Sequence, residues 1–116
     1  MTDYFLIAAG VLGLITSAGH GYIGHVRLVS PLDGIDARAK RALGTVFQLT
    51  TIYWVMGGIA LILAPFTLSA TPREVLAIFM AVIYGTAALG NLWITRGFHF
   101  GWVMLTAATV LAIAGR

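Results

Sequence analysis

"YFLIAAGVLGLITSAGHGYIGHVRLV" (residues 4–29) contains no acid, and its one arginine, Arg27, stands close to its end. A run this long and this apolar belongs either in the core of a large protein or in a bilayer. Composition decides between them. The chain has 116 residues, of which 59% are hydrophobic and 9% charged, against about 25% charged in an ordinary soluble domain. A soluble protein of this size could not cover its surface with so few charges. The stretch lacks the basic start of a cleavable leader and is too long for a leader's apolar region, so it is expected to stay as a first membrane span.

Working outward, the same character recurs in three more segments, giving spans at about residues 4–29, 39–64, 72–95 and 98–114. Each reaches or approaches the about 20 residues that a membrane-crossing helix needs, the last being the shortest. Helices are expected because lipid offers no partner to an unpaired backbone group. A barrel would need alternating polarity, which is absent. "SPLDGIDARAK" (30–40) and "APFTLSATPRE" (64–74) are turn-forming breaks, the second with Thr71 as expected N-cap and Pro72 as first helical residue. "TRGFH" (95–99) is short enough to make spans three and four a hairpin. The expected fold is all-α: one transmembrane domain over 1–116, an up-down-up-down four-helix bundle.

The charges orient it. Arg27, Arg38, Lys40, Arg41 and Arg96 gather at the first and third loops, while Arg73 and Arg116 lie on the other side. The positive-inside rule places those two loops in the cytoplasm and both termini outside, in a bacterial inner membrane. The formal charge of +3 forms no basic patch, so nucleic acid is not an expected partner. The expected partners are the lipid bilayer and another membrane protein or a second copy. With no cysteine, disulfide and thiolate chemistry are excluded.

At about 100° per residue, polar and small residues fall into one stripe per span. The stripes are Gly13, Ser17, His20, Gly24 and Arg27; Gly44, Gln48, Thr51 and Gly58; Ala77, Met80, Tyr84, Ala87, Asn91 and Thr95; and His99, Trp102, Val103 and Thr106. Such faces let membrane helices approach closely and hydrogen-bond, so they are expected to form the bundle interior. His20 and Gln48 each lie seven residues from a basic boundary residue, Arg27 and Arg41, or about 10 Å along a helix. With Asn91 and His99 they make an expected polar cluster in the cytoplasmic half. His25 stands five residues after His20, about 140° round a regular helix, and is expected at the boundary instead. Tyr22, Tyr53 and Trp54 are expected to face outward.

Histidines on facing helices of an apolar bundle suit axial ligation, and His20 with His99 is the intramolecular pair that could hold a haem or chlorin. The other expected cofactor contacts are Gln48 and Asn91. A closed metal site is disfavoured, because no His-x-x-x-His pair shares a face and no carboxylate accompanies the imidazoles. No nucleophile–base–acid set suggests an enzyme. The favoured expectation is a small non-catalytic accessory subunit or homo-oligomer, with cofactor binding or proton-linked transport as alternatives.

Two resemblances bear on this. In size and span number the chain resembles the small multidrug resistance exporters, but their membrane-embedded first-span glutamate is missing; here only Ser17 and His20 stand in that span's polar stripe. "HGYIGHVRLVSPL" followed by "FQLTTIYW" resembles an uncharacterised group of small bacterial four-span membrane proteins. That group carries His-x-x-x-Gly-Glu before a proline, then His-x-Thr-Thr. His20, Gly24, Pro31, Thr50 and Thr51 match. His25 replaces the glutamate and Gln48 the histidine, which separates this chain from any metal or proton chemistry of that group.

Overall fold

A computed structural model describes residues 2–116. Helix α1 (Thr2–Gly19) runs directly into a π-helical segment (His20–Val29), and is followed by α2 (Ala37–Thr67), α3 (Ala70–Thr95) and α4 (Phe100–Gly115). The continuous helix Asp3–Val29, α2 and α3 are long and apolar enough to cross a membrane. Helix α4 has 16 residues, short of the about 20 that spanning needs.

The helix ends have local causes. Asp36 caps α2, its carboxylate accepting from the backbone N–H groups of Arg38 at 3.0 Å and Ala39 at 3.2 Å. That starts the helix two residues earlier than its apolar run. Pro65 lies inside α2, but so near the end that the chain completes one more turn to Thr67. The N-cap of α3 is Ser69 rather than Thr71. Pro72 then falls within the first turn, where its missing N–H would have had no intrahelical partner. Arg96 closes α3 in the left-handed conformation at φ 48°, donating its N–H to the Leu92 carbonyl at 3.0 Å.

Helix α1 packs along both α2 and α4, and α4 packs along α3, whereas α2 and α3 touch little. Contacts move up α1 as they move down α2: Gly10 meets Gly58 and Ile62, Gly21 meets Thr51, and Gly24 meets Phe47. Leu6 lies against Gly115, and Asp3 is ion-paired with Arg73 at 2.7 Å. The resulting body is long and flattened, 51 × 28 × 17 Å.

The core holds Leu6, Leu61, Tyr84, Leu105 and a series of alanines. Part of the expected interior stripes is there: Gly13, Ser17, Gly58, Ala77, Met80 and Tyr84 are buried, whereas Arg27 and Thr95, at the stripe ends, are exposed. Two expectations are corrected. Trp54, expected outside, is buried, because it lies on the same face as Thr51 and Gly58. In α4 the buried face is Leu105, Ala108, Ala112 and Gly115, while Thr106 is exposed. The phase expected for this helix began at His99, which stands before the helix, not in it. Outward positions are largely apolar, among them Phe79, Trp93 and Phe98.

Candidate functional site

The π-helical segment sets the site. Its hydrogen bonds join residues five apart, as when the Ser30 N–H donates to the His25 carbonyl at 2.8 Å, so residue i+5 sits above residue i. Glycines at 19, 21 and 24 ease this wide winding. His20 and His25 are therefore one turn apart and both face α2, not about 140° apart as on a regular helix.

His20 is held by its ring. It stacks on Phe47, with centroids 4.1 Å apart and planes 7° from parallel. Trp54 closes over it at 4.6 Å, tilted by 43°. Its Nε2 is enclosed and has no hydrogen-bond partner. Gln48 does not supply one: its amide donates to the Gly21 carbonyl at 2.9 Å, tying α2 to the π-helical backbone. This close approach requires a glycine, since a Cβ on Gly21 would lie 2.7 Å from Thr51 Cγ2.

Asn91 and His99 lie elsewhere, near the turn between α3 and α4. Asn91 donates to the Ala87 carbonyl of its own helix at 2.9 Å. His99 is exposed and caps α4, its Nδ1 accepting the Gly101 N–H at 3.1 Å. Of the expected four residues, His20 and Gln48 make their contacts on the α1–α2 seam, and Asn91 and His99 make theirs at the turn between α3 and α4. Among the described residues, no group of three or more His, Asp or Glu side chains could hold a metal ion.

A second feature adjoins the seam. A groove of ≈ 770 Å³ opens between the π-helical segment and the first half of α2, lined by His25, Val29, Lys40, Arg41, Gly44 and Ile52 among others. Lys40 is fixed at its rim, its Nζ donating to the carbonyls of Ser30 at 2.7 Å and Leu32 at 2.9 Å. Sequence reasoning missed Phe47, Trp54 and Lys40. The aromatic pair was readable, being seven residues apart on the face of Thr51 and Gly58; the lysine was read as a topology charge alone.

No protein-family model, curated protein or solved structure significantly matches the chain. The functional reading rests on the residues themselves.

Proposed function

We propose that the chain is a small, non-catalytic protein of the bacterial cytoplasmic membrane that works through lateral association, as an accessory subunit or as a homo-oligomer. In this reading all four helices lie in the membrane in up-down-up-down order, with both termini outside, and neighbouring protein shields the short α4. The residues at the first and third loops carry most of the positive charge, which supports that orientation.

The observation that carries the reading is the open seam between α2 and α3. The Tyr84 hydroxyl reaches the Trp54 carbonyl at 3.4 Å, and Met80 lies against Gly57. Beyond these contacts, toward the start of α2 and the end of α3, the seam parts. Val46 and Tyr53, on the same side of α2 as Gly57 by helical spacing, are 62% and 63% exposed. Ile94, continuing the Met80–Tyr84 face of α3, is 75% exposed. Helix pairs in a closed bundle are covered on both sides; here one side is left for another helix.

The cysteine-free chain allows a direct test. Val46→Cys and Tyr53→Cys, oxidised in native membranes, should give disulfide-linked dimers, or a bismaleimide-linked larger species if the neighbour is another protein. Val110→Cys, equally exposed on α4 at 59%, should remain monomeric. Failure of both seam positions to crosslink above the Val110→Cys background would end the association reading.

The cofactor and transport alternatives gain less support. Cofactor ligation by His20 would need Nε2 to be reached, and its present neighbours enclose it. Proton transfer through His20 would need a second group within hydrogen-bond reach of that nitrogen.

A further inference from the structure

We infer that the groove between the π-helical segment and the first half of α2 binds one anionic phospholipid, with its phosphate at the Lys40–Arg41 rim and an acyl chain along Gly44 and Ile52. The inference rests on the membrane placement above, but not on lateral association. The groove is on the other side of α2 from α3: by helical spacing Arg41, Gly44, Gln48 and Ile52 share one face, and Gly57 lies on another.

The shape suits an amphiphile. From Arg41 to Ile52 the groove runs eleven residues along α2, about 16 Å at 1.5 Å per residue. That reaches from headgroup level well into the acyl region. Its apolar lining includes Val29, Leu49 and Ile52. Gly44 forms part of its floor, where a Cβ would make ordinary contact with Val29 Cγ1 at 3.5 Å and His25 Cε1 at 3.8 Å.

The charge selects an anion. Lys40 has three donors, and the two loop carbonyls leave one for a ligand. Among the described residues Arg41 makes no side-chain hydrogen bond or ion pair, and the one salt bridge, Asp3–Arg73, involves the other ends of the helices. Asp33 and Asp36 are the acids of the adjoining loop; Asp36 caps α2, and Arg27, Arg38, Lys40 and Arg41 outnumber the two carboxylates. A basic rim above an apolar channel, between membrane helices, is the chemistry that anionic headgroups recognise. A zwitterionic lipid would bring its own cation to the same rim.

The test is native mass spectrometry of the full chain in mild detergent, titrated with phosphatidylglycerol, phosphatidylcholine or inorganic phosphate. One phosphatidylglycerol should bind per chain, about tenfold more tightly than phosphatidylcholine, and inorganic phosphate should not displace it. Arg41→Gln should weaken phosphatidylglycerol about fivefold, while Arg96→Gln, at the other basic loop, should not. Gly44→Leu should reduce binding of both lipids by occupying the channel, with Ile52→Trp as the second filler if that variant folds poorly. Equal affinity for the two lipids, equal effects of Arg41→Gln and Arg96→Gln, or displacement by phosphate would overturn the inference. The same spectra read subunit number, so loss of oligomers with retained lipid binding would sink the association reading alone.

Discussion

His20 shows how an aromatic site can be held by shape while one of its polar atoms works against it. Its ring is stacked on Phe47 and covered by Trp54, an arrangement worth about 0.5–1.5 kcal/mol per aromatic pair beyond area burial. Its enclosed, unpartnered Nε2 opposes this by about 1–3 kcal/mol. Replacing the ring by one of similar shape without that nitrogen should therefore cost nothing or help. The expected outcome is that His20→Phe unfolds in detergent at a midpoint equal to or above that of the parent. His20→Ala, which leaves a cavity, should lose about 2–4 kcal/mol. If the phenylalanine variant were as damaged as the alanine variant, the nitrogen would have a working partner, and a ligand at His20 would return to consideration. The neighbouring Trp54 teaches a lesson in reading. Its burial is legible from its spacing to Thr51 and Gly58, which share its face of α2. At this seam Gly24 of the π-helical segment makes room for the Phe47 ring, and His20 stacks between Phe47 and Trp54.

Helix α1 illustrates at the element scale what periodicity can and cannot reveal. The face through Gly13 and Ser17 follows regular spacing, and Gly13 does abut Tyr84. After Gly19 the winding widens, and spacing counted at about 100° per residue gives the wrong azimuth for His25. Nothing in local propensity marks a π-helical segment; the Gln48 bond to the Gly21 carbonyl is a tertiary feature that only the folded chain reveals. In α4 the polar residue Thr106 faces outward and the buried face is built from Leu105 and small alanines, so polarity does not mark the interior of this helix. Glycine positions separate the two kinds of helix contact by experiment. A Cβ on Gly10 would meet the Gly58 carbonyl oxygen at 2.5 Å and the Ile62 nitrogen at 3.2 Å. These are backbone atoms that cannot rotate aside, so α1 and α2 would have to separate. Gly90 has nothing within 4 Å of such a Cβ. Gly10→Ala should cost about 1–3 kcal/mol, and Gly90→Ala should be neutral or slightly stabilising through helix propensity. Equal denaturation midpoints for the two variants would mean that the α1–α2 backbones are not in close contact.

Over the whole molecule, helix lengths and charge placement act together. At 1.5 Å per residue α2 is about 46 Å long and α4 about 24 Å, against a hydrocarbon core of about 30 Å. Helix α2 must therefore extend beyond the core. Its first two turns carry Arg38, Lys40 and Arg41, which are costly in lipid and favourable at a headgroup surface. Lys40 is also anchored to the first loop through the Ser30 and Leu32 carbonyls, which ties that loop to the basic turns. The Asp3–Arg73 pair joins the starts of α1 and α3 and adds little positive charge to its side. By the positive-inside rule this asymmetry supports the proposed orientation, with the first loop on the cytoplasmic side. Two exposed positions report the two sides in the cysteine-free chain: Asp33 in the first loop, and Ser69 between α2 and α3. In spheroplasts, a membrane-impermeant maleimide should label Ser69→Cys at once and Asp33→Cys only after permeabilisation. The reverse pattern would invert the protein in the membrane and move the Lys40–Arg41 rim to the outer leaflet. Equal labelling of both before permeabilisation would show that the chain does not separate these loops across a bilayer.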